Sequence, residues 1–486
     1  MQMDGVPFKS LCAESNQCGG SVSHLAQLPP EIYTEIFIMA RGSRGDLLRD
    51  DPHWRKPDIM TPFTLGAVCR HWRNIILSAP KIWSEIYLHL HSTRIDEHVA
   101  YLGHCLARSK PHPLTITLAF ENENRTGPDG WWDVISGPSF SLGLLVTLLL
   151  SSSNRWQRID MTLPECWYNV FAMEGHNFPN LVSMRVRPLW DDIFQPKSER
   201  KVFDLLHHSP SLRELHVRSI FIWHAKIPWT QLQRLTVKDE ALNTCRYALA
   251  EAQNLVWCRL IGPWISSDAQ APKTEKPVVL RSLQTLVLEE HVFVPERVYS
   301  LLEALLHDLS YPALETLEIS ISIIPKDLPT WLSNGGARLT YLVVRDLLKD
   351  TEGLLHCLRE MHLLEKFDLD VHRGWHIRGS LLKTIFVKPH PPKSTNYTLP
   401  NLRCFSFSGK IALKNSNLDR LLLNIFQFRA PAAVHNEVGP RTMRLLSFDL
   451  ETGGYFSPSP DVRREMEVLA KGGLQLRVRC GGVSWI

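Results

Sequence analysis

The chain has 486 residues, 44% of them hydrophobic and 21% charged, with a formal charge of +4. That balance supports a buried core over most of the length and argues against global disorder. It also argues against a nucleic-acid binder, which gathers Lys and Arg on one face. At roughly one to two hundred residues per domain, the length predicts several domains unless an elongated repeat array absorbs it.

Ten cysteines include no Cys-x-x-Cys. Cys69, Cys258 and Cys404 lie in apolar runs, as buried free thiols do, so a reducing compartment is expected. Met1 to Ser23 lacks the apolar stretch of a signal peptide. The most apolar run, Leu142 to Leu150, is about half of what a bilayer span needs. The expectation is an intracellular protein, cytoplasmic or nuclear, without membrane association.

Taken in order, residues 1–24 read as a polar tail, 25–90 as a helical module and 91–486 as a repeat region. Leu28-Pro29-Pro30-Glu31 predicts a helix start near Pro30, because proline loses nothing in a first turn and Glu31 complements the positive end of the dipole. Ile32, Ile36 and Met39 or Ala40 then form one apolar stripe, with Tyr33 and Phe37 as a second edge. Residues 41–58 are polar, with Gly and Pro, and read as a loop. After Thr61-Pro62, a cap followed by an N1 proline, Leu65, Val68, Cys69, Trp72 and Ile75 or Ile76 recur at helical spacing and predict a second helix ending near Ala79-Pro80.

Leu28-Pro29-x-Glu31-Ile32, Ile36-Phe37, Val68-Cys69-Arg70-x-Trp72-Arg73-x-Ile75 and Pro80-x-Ile82-Trp83, in this order, resemble the F-box family. The long segment between the two helices looks like the expanded version of many fungal F-box-like proteins. The resemblance implies a three-helix module packed on a Skp-type adaptor, which links it to a cullin scaffold and a ubiquitin-conjugating enzyme. The residues it carries over are Leu28, Pro29, Ile32, Ile36, Leu65, Val68, Cys69, Trp72 and Trp83. A bundle of short helices is small for a core of its own, which agrees with burial on a partner. For Cys69 and Trp72, core and interface remain equally open.

Beyond Trp83, Ile86, Leu88 and Leu90 alternate as a strand, Ile95, Val99, Leu102 and Leu106 repeat as a helix, and Leu114, Ile116 and Leu118 alternate again. A Leu-x-x-Leu-x-Leu pattern then recurs, from Leu181-x-x-Met184-x-Val186 through Leu215, Leu235, Cys258, Leu286, Leu317, Leu342, Phe367 and Phe405 to Met443-x-x-Leu446-x-Phe448. Helix-period segments such as Val202-Leu205-Leu206 and Val298-Leu301-Leu302-Leu305 lie between copies. This resembles the leucine-rich-repeat family. The expected fold is α/β, a three-helix F-box module followed by an irregular leucine-rich-repeat solenoid. The spacing varies from about 20 to about 41 residues, and no asparagine follows the last apolar position, so the usual asparagine ladder cannot form. Ser267 to Pro277 and Lys388 to Thr398 read as exposed insertions.

No phosphate loop, His-Glu-x-x-His, Gly-x-Ser-x-Gly or paired Cys/His spacing occurs. His207-His208 lacks a third ligand at metal spacing. No catalytic residue, metal or cofactor is expected. Two readings follow: a non-catalytic substrate-recognition adaptor of a ubiquitin ligase, or a scaffold that holds the adaptor without ubiquitylation. In either, residues alternating with the leucines line a concave sheet. Arg218, Arg234, Lys238 and Arg259 around an exposed Trp257 predict a basic site for an acidic or phosphorylated segment of an unidentified target, with Trp257 as anchor. The later repeats lean acidic.

Overall fold

The computed structural model describes residues 28–40, 62–90, 94–120, 140–163, 177–188, 209–218, 226–264, 278–289, 305–307, 309–321, 324–347, 351–371, 376–386, 399–412, 419, 421–422, 447–452, 458–471, 473–480 and 483–484. The tail 1–24, the segment 41–58, both insertions, His207-His208 and the helical segments expected at 202–206 and 298–302 lie outside them. Contacts divide the chain into two compact units, one running to Ile86 and including Tyr101–His112, the other comprising Tyr87–Ala100 and Pro113–Ile486.

In the first unit, α1 (Pro30–Ala40) starts where the paired prolines predict. The expected second helix is broken into α2 (Pro62–Gly66) and α3 (Arg70–Ser78), followed by α4 (Pro80–Trp83). The break has a local cause. Cys69 is extended (φ −157°, ψ 169°), and its Sγ accepts from the Trp72 N–H at 3.5 Å as the N-cap of α3. Arg73 Nε donates to the Gly66 carbonyl at 3.0 Å and ties the two helices across the gap. A stripe read as one helix therefore splits at Val68. Tyr33, Phe37, Leu65, Ile75, Ile76, Ile82 and Trp83 are buried. The Trp83 indole donates to the Ile76 carbonyl at 2.7 Å, satisfying its one donor inside the core. Phe63 meets the Trp83 ring edge-on at 5.3 Å, and the Arg108 guanidinium lies 5.0 Å from its centroid.

β1 (Glu85–Leu90) and α5 (Ile95–Arg108) follow, each with residues in both units. The second unit continues with β2 (Leu114–Phe120), α6 (Phe140–Ser151), β3 (Trp156–Leu163), β4 (Ser183–Pro188), β5 (Glu214–Arg218) and β6 (Arg234–Lys238). Next come α7 (Leu242–Glu251), β7 (Trp257–Ile261), β8 (Val278–Val279), β9 (Thr285–Glu289), β10 (Leu309–Ser310), β11 (Thr316–Ser320) and α8 (Leu328–Asn334). The remainder is β12 (Tyr341–Leu347), α9 (Thr351–Glu360), β13 (Lys366–Val371), β14 (His376–Arg378), α10 (Gly379–Phe386), β15 (Cys404–Ala412), β16 (Ser447–Thr452), α11 (Pro460–Lys471), β17 (Gln475–Cys480) and β18 (Val483–Ser484).

Among the described residues sixteen strands form one open sheet, in which spatial order follows chain order from β1 to β18. β14 pairs beside β15, and β8 and β10 form a separate pair. From β2 to β17 each successive pairing is parallel. A parallel neighbour requires a crossover connection, which is why helical and extended segments alternate in the sequence. The register keeps like with like. Leu215, Leu235, Cys258, Leu286, Leu317 and Leu342 stand side by side, as do Val217, Val237, Leu260, Leu288, Ile319 and Val344. All twelve are buried, so one face of the sheet is a continuous apolar layer. At its far end Phe367, Phe405 and Phe448 stack at centroid spacings of 5.8 and 5.6 Å, with Phe386 of α10 edge-on to Phe405 at 4.9 Å.

The register corrects one copy and adds two. Phe448 pairs with Phe405 and Leu450 with Phe407, so the copy expected as Met443-x-x-Leu446-x-Phe448 stands two residues later. Ile159-x-Met161 and Leu476-x-Val478 align with the same rows, but Trp156 and Gly473 stand where the pattern has Leu.

Several of the described strands are entered by a turn. The Leu181, Leu212, Leu232, Leu255, Leu314 and Leu364 N–H groups donate to the carbonyls of Phe178, Ser209, Trp229, Ala252, Tyr311 and Met361 at 3.0 to 3.2 Å. The residue just before that leucine then reaches back to the neighbouring turn. Asn180 Nδ2 donates to the Asn154 carbonyl at 2.7 Å, Ser211 Oγ to Pro179 at 2.6 Å, Asn254 Nδ2 to Thr230 at 2.6 Å and Asn401 Nδ2 to His362 at 2.8 Å. Gln231 makes the same bond to Ser209. The ladder that the strand ends lack is built at the strand starts, where it holds turn carbonyls that would otherwise turn to water.

Candidate functional site

Two surfaces emerge, one in each unit. On α1 the core takes Tyr33 and Phe37, while Ile32 and Ile36 face outward with Ile32 46% and Met39 70% exposed. Val68 in the α2–α3 break is 61% exposed, and Pro29 and Cys69 are exposed as well. Leu28 and Trp72 are half-buried, Trp72 with its ring 4.8 Å from that of Phe37. Leu65 and Trp83, expected in the docking set, are instead buried in the unit's own core. Their type and spacing suit either role, and only packing separates the two. The exposed set comprises Pro29, Ile32, Ile36, Val68 and Cys69, with Met39 as an addition. Glu35 and Lys81, exposed and 2.6 Å apart, hold α1 to α4 beside this set.

On the sheet, the residues alternating with the apolar rows are half-buried on β5 and β11, while Thr236 of β6, Val287 of β9 and Val343 of β12 are buried. The expected basic cluster is present in sequence but not as unneutralised charge. Arg218 Nε donates to Asp239 Oδ2 at 2.8 Å, and Arg259 uses Nε and Nη2 against both Glu289 oxygens at 2.9 Å. Arg234 Nε lies 3.5 Å from Glu214 Oε1, and its guanidinium covers the Trp257 ring at 4.5 Å. Trp257 is half-buried under that stack, not exposed. Lys238 alone of the four cations has no ion-pair partner among the described residues. The acidic half is paired in the same way, with Glu318 to Arg345 at 2.9 Å, Asp449 to Arg477 at 3.5 Å and Glu451 to Arg479 at 3.6 Å.

The missed signal lay one strand away. A parallel in-register sheet puts residue i of one strand beside its equivalent on the next, so pairing partners are found by aligning the copies and not by reading along one of them. Asp239 stands just past β6 with φ 56°, a left-handed conformation that Asp tolerates, and there its carboxylate meets Arg218 from β5. Asp346, at φ 57°, likewise accepts from Ser320 Oγ.

The electrostatics are structural in kind. The His216 hydrogen bond, joined by the positive charge of His216 and Arg234, outweighs burial and holds the Glu214 carboxyl down from its ordinary 4.5 to about 2. Burial pushes the Cys258 thiol up to about 12 and that of Cys245 well above its ordinary value, the latter helped by Glu240. Both are therefore protonated and unreactive at neutral pH. Among the described residues no group of three His, Cys, Asp or Glu side chains could hold a metal ion, and no helix is long and apolar enough to cross a membrane. No protein-family model matches the chain, and no curated protein matches it.

Proposed function

We propose that this chain is the substrate receptor of a Skp-cullin-F-box type ubiquitin ligase. In this reading the helical unit is an F-box module that docks a Skp-type adaptor and, through it, a cullin scaffold. The sheet unit is a degenerate leucine-rich-repeat solenoid that holds the target protein on its polar face. The chain itself is non-catalytic and takes no cofactor, ubiquitin transfer belonging to another subunit, and it works inside the cell. The supporting observation is the outward set on a small unit whose own core is already furnished by Tyr33, Phe37, Ile76 and Trp83. Ile32, Ile36, Met39 and Val68 add nothing to that core, and apolar side chains gathered on one small unit mark a docking face.

Because Ile32 and Val68 are exposed, Ile32→Glu with Val68→Glu leaves internal packing in place. Co-purification of the Skp-type adaptor is expected to fall at least about tenfold, the equivalent of roughly 1.4 kcal/mol, with an unchanged thermal unfolding curve. Undiminished co-purification overturns the assignment. A partner whose abundance rises on proteasome inhibition, and only when the adaptor is bound, identifies a substrate.

A further inference from the structure

The turns before the strands carry a polar side chain at Asn180, Ser211, Gln231, Asn254 and Asn401, each reaching back to the neighbouring turn. The equivalent position before β13 holds Leu363, which is 54% exposed. Beside it a cleft of about 450 Å³ opens between the last turns of α8 and α9. Leu332, Leu339 and Met361, all buried, supply apolar lining together with Leu363. Ser333 and Asn334 on α8 and His356 and Glu360 on α9 line it too and are exposed, so solvent reaches it along both helices. Glu360 is the only Asp, Glu, Lys or Arg in the lining, and it has no ion-pair partner among the described residues. Arg338 and Arg359, next in sequence to lining residues, do not line the cleft. The last turn of α8 holds no basic side chain, which leaves the partial negative charge of that helix end unopposed by its own residues.

The volume falls within the roughly 300–1,000 Å³ of ligand sites, while the exposed helix walls suit a chain laid through the cleft better than an enclosed small molecule. We propose that the cleft docks an extended segment of a partner protein that carries an apolar side chain and, two positions away, a lysine or arginine. The apolar side chain packs on Leu332, Met361 and Leu363. Alternate side chains of an extended segment share one side, so the cation follows it into the cleft, lays its aliphatic stem on Leu363 and brings its charge to Glu360. An exposed leucine at a position that takes asparagine in other copies is thereby covered. The site is built from helices and turns and not from the strands. It is separate from the polar face that the receptor reading gives to the target, and it stands or falls independently of that reading.

The test is fluorescence anisotropy on the full chain with three labelled peptides, each a threefold repeat: Leu-Ser-Lys-Ser, Leu-Ser-Glu-Ser and Gly-Ser-Lys-Ser. The wild type is expected to bind the first at least about tenfold more tightly than either of the others, since each of those lacks one of the two contacts. Leu363→Asn should weaken that binding about tenfold while keeping or raising the melting temperature, because asparagine is the side chain that Asn180, Asn254 and Asn401 place at this position. Glu360→Lys should reverse the preference toward the glutamate peptide, a change that a purely structural role would not produce. Equal binding by the wild type and Leu363→Asn overturns the site, as does an unchanged preference in Glu360→Lys or the absence of saturable binding by the Leu-Ser-Lys-Ser peptide. A wild type that dimerises in sedimentation velocity, with Leu363→Asn monomeric, gives the cleft to a second copy of this chain and overturns the partner segment.

Discussion

At the scale of single residues, charge on the sheet is organised by pairs, and Glu214 is the clearest case. Its carboxylate accepts from His216 Nε2 at 3.3 Å and faces Arg234 at 3.5 Å. Its folded-state value, about 2, lies below the ordinary 4.5. A carboxyl depressed on folding contributes stability that is fully present above its unfolded value and is lost as pH falls through the folded one. The contribution should therefore be complete at pH 6 and disappear between about 4.5 and about 2. Urea denaturation of wild type and Glu214→Gln at pH 6, 4 and 3 checks this: the wild type should lead at pH 6 and the gap should narrow with acid. A gap that stays constant with pH would mean that the amide loses only packing or a neutral hydrogen bond.

At the scale of elements, the stacked phenylalanines are expected to join neighbouring strands more firmly than the side-chain hydrogen bonds of the turns do. Phe405 touches Phe367, Phe386 and Phe448 and is 1% exposed. Phe405→Ala should cost about 3–5 kcal/mol, read as a shift of the urea midpoint. Asn254→Ala removes one solvent-exposed turn bond and should cost no more than about 0.5–1.5 kcal/mol. Comparable losses would mean that the turn ladder, and not the apolar layer, carries the joint. Much of this was legible in sequence: the alternation at Leu215 and Val217 or Phe405 and Phe407 marks strands, and its repetition marks a sheet. Gly473 and Trp156 escaped because a strand needs an apolar inward pair but not a leucine at its entry. The split of the second helix escaped because helical spacing survives across the Val68 gap, and only the Cys69 cap geometry reveals the break. The engaged state of Arg218 and Arg259 escaped because their partners belong to later copies, Asp239 and Glu289.

At the scale of the whole molecule, spatial order of the strands follows chain order, so each strand of the sheet is supported by its immediate neighbours. Stability in such an array is a sum of local terms and joints between neighbours, and damage should stay local. Gly335 offers a way to test this. A Cβ placed there would sit 2.4 and 2.5 Å from ring carbons of Tyr311. That ring cannot step aside, because Tyr311 is fully buried, its hydroxyl donates to the Trp331 carbonyl at 3.1 Å and its own N–H donates to the Gly335 carbonyl at 2.7 Å. Gly335→Ala should therefore cost about 1–3 kcal/mol of overpacking strain. Tyr311 introduces β11, and Gly335 ends α8 just before β12. Native-state hydrogen exchange should show protection lost first over 309–347, with β4, β5 and β6 keeping theirs at the same denaturant concentration. Uniform loss of protection from β2 to β17 would show that the sheet unfolds as one cooperative body, and that the joints between neighbours are strong enough to spread a single clash along its whole length.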